Sequence, residues 1–147
     1  MIDGSHHKME ESMRYKIGRS FSFSAAHHLE DLPDGHKCAR VHGHTYHVEV
    51  VVASDTLARP GFVMDFADLS PFGAYLAATF DHRDLNEVLA VQPTSEALAE
   101  HLACWFQTNL QLELRCMLVS VRVWESDRSW AEVTPEMLEH HGGEAGS

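Results

Sequence analysis

Two histidines separated by one glycine, His42-Gly43-His44, open a segment whose side chains alternate in character as a strand's do. With a period of two, both imidazoles fall on one face. A third histidine, His27, ends an earlier alternating segment, on the face of Phe21, Phe23 and Ala25. If the two segments pair as antiparallel neighbours, their ends converge and three neutral imidazoles meet. Three such ligands with a fourth position open suit a catalytic zinc ion; the plainer alternative is a set of surface or core histidines. Gly43 lets the backbone bend or approach closely without a side-chain clash. Cys38 stands four residues before His42, between Lys37 and Arg40. Cationic neighbours and a nearby metal would lower its pKa toward a reactive thiolate. It could equally be a fourth ligand, closing a Cys/His3 sphere of the structural kind. Spacing leaves both open.

Two further places could do chemistry. Asp81-His82 lies in Phe80-Asp81-His82-Arg83-Asp84-Leu85-Asn86. A carboxylate beside an imidazole can orient it and support its protonated form; the alternative is a polar turn whose aspartates cap backbone N–H groups. Glu125 interrupts the apolar face of Val119, Val121 and Val123. A carboxylate is costly there if buried without a partner. Either it receives two adjacent N–H donors of a ligand, or the strand emerges into solvent at that point.

The elements that must position these residues can be read from periodicity. Tyr15 to His27 reads as a strand, residues 29–41 as a loop, and residues 43–54 as a second strand. In the second strand His44, Tyr46, Val48, Val50 and Val52 share a face, opposite Thr45, His47, Glu49 and Val51. Asp68 is placed to cap a helix carrying Leu69, Phe72 and Leu76, its apolar face running on toward Phe80. Thr94 is placed to cap a second helix, with Glu96 in its first turn and Leu98, Leu102, Trp105 and Phe106 along its stripe. Residues 117–125 alternate again, and a short strand at 130–134 closes the domain. Strand, strand, helix, helix, strand, strand predicts an α+β layer: an antiparallel sheet with helices on one side. Its two edges need covering, and an oligomer joining sheets edge to edge would do so.

The 147 residues suit one domain, expected over residues 14–139, with a disordered leader at 1–13 and a flexible tail at 140–147. The leader would take His6 and His7 out of the count of 12 histidines, and the tail His140 and His141. Eleven Lys and Arg against 22 Asp and Glu give a net charge of -11, which disfavours nonspecific nucleic-acid or anionic-membrane binding. No apolar run approaches the roughly 18 residues of a membrane span, and no signal-peptide pattern opens the chain. Three cysteines without metal-type spacing suit a reducing compartment, hence a cytoplasmic protein. Cys104 and Cys116 read as core thiols.

The chain resembles the family of 6-pyruvoyl-tetrahydropterin synthase and its bacterial relative, 6-carboxy-5,6,7,8-tetrahydropterin synthase of queuosine biosynthesis. The resemblance rests on seven ordered pieces spread over residues 15–133: Phe23-Ser24-Ala25-Ala26-His27, Gly35-His36-Lys37-Cys38, Val41-His42-Gly43-His44, Met64-Asp65-Phe66, Phe80 to Asn86, Pro93-Thr94-Ser95-Glu96 and Val121-Arg122-Val123-Trp124-Glu125. It implies that His27, His42 and His44 bind zinc, that Cys38 is the catalytic thiol, and that Asp81 and His82 move protons. It also implies that Glu125 anchors the pterin, with Thr94, Ser95 and Glu96 nearby. The implied fold is the tunnelling fold, three subunits closing a barrel and two barrels stacking into a homohexamer with active sites between subunits. Arg128-Ser129-Trp130, after Glu125, departs from the pattern of some members at the pocket edge, where substrate preference is set.

The stretch from Gly35 to His44 is most similar to the carboxy-forming branch. That branch implies 7,8-dihydroneopterin triphosphate as substrate, and 6-carboxy-5,6,7,8-tetrahydropterin, acetaldehyde and triphosphate as products. A local basic patch of Lys37, Arg40, Arg14, Lys16 and Arg19 is expected to receive the triphosphate despite the acidic whole. Two other readings stand beside this one. The pyruvoyl-forming synthase would eliminate triphosphate and keep the three-carbon side chain. A noncatalytic metal- or pterin-binding module would close its zinc sphere with Cys38.

Overall fold

The computed structural model describes residues 13–135. The tail expected at 140–147 and the leader up to residue 12 lie outside the described residues. Five strands form one sheet: β1 (Tyr15–His27), β2 (His42–Ser54), β3 (Arg83–Asp84), β4 (Met117–Ser126) and β5 (Ser129–Val133), in the spatial order β3-β1-β2-β4-β5. The helices are α1 (Ser70–Thr79), α2 (Leu85–Val88) and α3 (Ser95–Phe106), the last running through a π turn (Gln107–Gln111) into α4 (Leu112–Leu114). The α+β class is as expected. The sheet is mixed, however, not wholly antiparallel. After α1 the chain turns at His82, whose φ is 58°, and passes alongside β1, pairing Ala25 with Arg83 and Ala26 with Asp84 in parallel.

β1 and β2 pair over their full lengths, from Tyr15↔Ser54 to His27↔His42. The alternation read from the sequence decides which face turns inward. Phe23, Ala25 and His27 of β1 are buried, as are Tyr46, Val48, Val50 and Val52 of β2. Against them pack Phe72 and Leu76 of α1 and Leu98, Leu102 and Phe106 of α3. Each such side chain, fully buried, contributes about 1.5–3 kcal/mol, which holds the ladder in its one register. β4 departs from simple alternation. Val51 pairs with Ser120 but Val52 with Leu118, so Val119 is an extra residue in the ladder. The bulge turns Leu118 into the core and leaves Val119 only half-buried, where strict alternation had put Val119 inside.

Thr94 caps α3 as expected, its Oγ1 accepting from the Ala97 N–H at 3.0 Å. Asp68 does not cap α1. Asp65 instead caps a preceding 3-10 turn (Phe66–Leu69), accepting from the Ala67 N–H at 2.9 Å, and Pro71 opens the α-helix behind it. Among the described residues β3 covers only two positions of β1, so most of that strand is an unpaired edge, and β5 is the other. No helix of the described residues is long and apolar enough to cross a membrane.

Candidate metal centre and substrate cavity

The β1–β2 register sets His27 directly across from His42, and Ala25 across from His44. The two-residue period therefore brings three rings together on the inward face, at the open end of the ladder. Their centroids are 4.6 Å (His27–His42), 5.0 Å (His27–His44) and 4.8 Å (His42–His44) apart. One ring nitrogen from each lies within 4.8 Å of the others. Backbone carbonyls fix two of the rings. His27 Nδ1 donates to the Pro93 carbonyl at 2.7 Å, and His42 Nδ1 to the Arg40 carbonyl at 2.6 Å. A carbonyl only accepts, so each Nδ1 carries a proton, which in the neutral ring leaves the lone pair on Nε2. His27 Nε2 is buried and has no hydrogen-bond partner. Burial holds the His44 imidazole below its ordinary 6.5; the Glu125 carboxylate opposes that fall and the other two rings add to it. Neutral rings with oriented lone pairs are what a metal ion needs. The donor set fits one, with His27, His42 and His44 as its holders.

Cys38 does not belong to this cluster. It sits half-buried in a 3-10 turn (Lys37–Ala39), its N–H donating to His36 Nδ1 at 3.1 Å and its carbonyl accepting from the Leu29 N–H at 2.8 Å. The closed Cys/His3 sphere is not formed.

Glu125 is the unpaired residue of a second bulge, between the pairs Trp124↔Trp130 and Ser126↔Ser129. The bulge re-aims its side chain into a cavity of about 170 Å³ shared with Ser95, Glu96, Ser129, Trp130 and Ala131. Two of the expected neighbours, Ser95 and Glu96, are thus brought to Glu125; Thr94 is engaged in capping. Because Pro93 holds the His27 ring, the start of α3 joins the metal centre to this cavity. Two buried hydroxyls in this region, Ser95 Oγ and Tyr46 Oη, lack protein partners. Tyr46 was legible only as a core residue. Its ring lies 5.5 Å from that of His44, and burial, then the Glu125 charge, push its phenol well above the ordinary range.

Asp81 and His82 do pair, His82 Nδ1 to Asp81 Oδ2 at 3.0 Å. The other carboxylate oxygen accepts from the Ser24 N–H at 2.9 Å. That bond first, and His82 second, hold the Asp81 carboxyl below its ordinary 3.8. The His82 side chain is 84% exposed, and it lines a cavity with Ser24, Ala25, Ala26, Gly43, His44 and Thr45. Ser24, Ala26, Gly43 and Thr45 alternate with the triad's positions along β1 and β2, and His44 of the triad belongs to the same lining.

The basic patch is only half assembled. Lys37 and Arg40 flank Cys38, but Arg14, Lys16 and Arg19 lie toward the opposite end of β1. Arg19 is eight residues from His27, roughly 26 Å along an extended strand. It is spent on the Phe66 carbonyl and Ser70 Oγ. Cys104 is exposed on α3, not in the core; Cys116 is buried, and its thiol is pushed up to about 11.

The chain is thus a two-layer α+β unit with three histidines able to hold a metal ion at a sheet end and a carboxylate-lined cavity beside them. A family model described as 6-pyruvoyl tetrahydropterin synthase matches residues 16–136. The chain belongs to this enzyme family. A putative 6-carboxy-5,6,7,8-tetrahydropterin synthase of Archaeoglobus fulgidus is 41% identical over 125 residues, covering 85% of this chain and 98% of that one. A dihydroneopterin monophosphate aldolase of Pyrococcus furiosus is 30% identical, covering 82% and 98%. The solved 6-pyruvoyl tetrahydropterin synthase of Caenorhabditis elegans matches with a TM-score of 0.69 at 26% identity, covering 82% and 94%.

Proposed function

We propose that the chain converts 7,8-dihydroneopterin triphosphate to 6-carboxy-5,6,7,8-tetrahydropterin, releasing acetaldehyde and triphosphate, with zinc held by His27, His42 and His44. The observation that carries this reading is the set of three imidazole nitrogens within 4.8 Å of one another, with Cys38 outside the set. That leaves the metal an open position and the thiol free to act on substrate. The name of the Archaeoglobus relative favours the carboxy-forming reaction, and with it a place in queuosine biosynthesis.

Bound zinc supplies Lewis acidity toward oxygen on the substrate's side chain. The protein's own residues do the rest. Glu125 receives adjacent N–H groups of the pterin through its two oxygens, while Ser95 and Glu96 complete the wall. Cys38, as thiolate, takes a side-chain proton as general base. Lys37 and Arg40 face the triphosphate. Asp81 orients His82, which gives or relays protons. The pair, its imidazole 84% exposed, serves a neighbouring subunit. A homohexamer of two stacked three-subunit barrels supplies that neighbour and uses the open edges of β1 and β5.

The family description and the C. elegans structure favour a second reading, in which triphosphate is eliminated and the side chain retained. Incubation with 7,8-dihydroneopterin triphosphate and product analysis separate the two. Acetaldehyde and 6-carboxy-5,6,7,8-tetrahydropterin are expected. A pyruvoyl product without acetaldehyde would move the assignment to the second reading, and no release of triphosphate would overturn both.

A further inference from the structure

Asn86 stands at the start of α2, where its own N–H donates to Asp84 Oδ1 at 3.0 Å. Its side chain spans the gap to the end of β1. Oδ1 accepts from the His28 N–H at 2.9 Å, and Nδ2 donates to the His28 carbonyl at 3.0 Å. Both bonds are partly buried, and they satisfy both backbone groups of the residue that follows a metal ligand. A primary amide presents an N–H donor and a carbonyl acceptor side by side in a fixed plane, as a neighbouring strand's peptide groups do. The parallel ladder ends at Ala26↔Asp84, where the backbone leaves for α2. The Asn86 amide takes over that pairing at His28.

His27 therefore lies between two fixed points. Ala26 is held by β3, His28 by Asn86, and the ring between them by the Pro93 carbonyl. All three braces come from residues 84–93. Gln92 extends the same strapping outward, its Oε1 accepting from the Glu30 N–H at 2.8 Å. Among the described residues no such side-chain clamp holds the neighbours of His42; its brace is the Arg40 carbonyl two residues away.

We infer that Asn86 is a positioning residue for the metal centre, fixing the His27 ring through the backbone of His28. This rests on reading His27, His42 and His44 as the metal's holders. Groups that orient a ligand in this way are typically worth about 10- to 100-fold in metal affinity. The clamp acts one residue from the ligand, so the lower end of that range applies.

The test is titration of the full chain with Zn²⁺ against a competing chromophoric chelator, with circular dichroism to establish folding. Asn86→Ala should weaken zinc binding about tenfold. Asn86→Asp, which still accepts from the His28 N–H but no longer donates to its carbonyl, should fall between the two. Asn109→Ala is the control, because it also deletes a side-chain bond to the backbone, to the Trp105 carbonyl, far from the centre in sequence. It should leave affinity unchanged. His42→Ala sets the background from other histidines. Native affinity in a folded Asn86→Ala chain overturns the inference and leaves the metal site standing. Equal losses in Asn86→Ala and Asn109→Ala overturn it as general destabilisation. If Asn86→Ala does not fold, Asn86→Asp decides, and native affinity there overturns the inference. An unmodified chain that binds no more tightly than His42→Ala overturns both this inference and the metal site.

Discussion

Glu125→Gln separates binding from folding more cleanly than any other substitution at this site. Among the described residues no hydrogen bond or ion pair engages the Glu125 side chain. Its strand position is an unpaired bulge, and a like charge, Glu96, lines the same small cavity. Folding therefore loses nothing when the carboxylate becomes an amide. A change of this kind stays within about 0.5 kcal/mol, or under roughly 2 °C in Tm. The ligand loses more. A carboxylate offers two acceptor oxygens to adjacent N–H donors; the amide keeps one and turns a donor toward the other. One charge-assisted bond is worth about 1.5–3 kcal/mol, which is roughly 10- to 100-fold in affinity. The assay is calorimetric titration with a pterin that lacks phosphates, so the measurement reports the ring alone, alongside thermal unfolding and zinc content. Weaker pterin binding at unchanged Tm and zinc content is expected. Native pterin affinity, or a Tm lower by several degrees, would refute the reasoning.

Tyr46→Phe should stabilise the protein. Its hydroxyl is buried without a partner, at a cost of about 1–3 kcal/mol, so a rise of roughly 2–10 °C in Tm is expected, and a fall would mean the hydroxyl is satisfied by water. Cys38→Ala should abolish turnover while metal analysis finds zinc retained; zinc loss would return the thiol to the ligand set. Asp81→Asn should flatten the acid limb of stability. The native Asp81 carboxyl lies below its ordinary 3.8, so its contribution is present above that pH and lost as pH falls through the lower folded value. Thermal melts below about pH 4 should therefore decline more steeply for the unmodified protein than for Asp81→Asn. Identical acid limbs would remove the role given to the Ser24 and His82 bonds.

The triad was legible because a two-residue period and one antiparallel ladder suffice to bring His42, His44 and His27 together. The α+β class followed from the same periodicities, and the Thr94 cap from its place ahead of an apolar stripe. Bulges were not legible. Nothing in Val119 or Glu125 announces an extra residue in a ladder, yet one bulge reverses which side chain is inside and the other aims the carboxylate. The braces were also hidden, because a peptide carbonyl such as that of Pro93 or Arg40 has no side-chain signature. Sequence proximity misled where a strand is long. Arg19 and His27 share β1, but an extended chain carries them far apart. The parallel pairing of Arg83 and Asp84 with β1 could not be read either, since it depends on where the chain meets β1 after α1.

The β1–β2 ladder closes on the pair His27↔His42, so residues 28–41 leave from one residue of the three-histidine cluster and return to another. Among the described residues, what fixes the His27 and His42 rings lies in the ladder or in residues 84–93, apart from the Arg40 carbonyl. The loop can therefore be lengthened, shortened or exchanged between Asp31 and Lys37 while the imidazoles keep their places. What changes is where the thiol of Cys38 arrives. The hairpin is in effect a fixed anvil with an interchangeable tool, a division under which the three-histidine cluster can be inherited unchanged while the loop that carries the thiol varies.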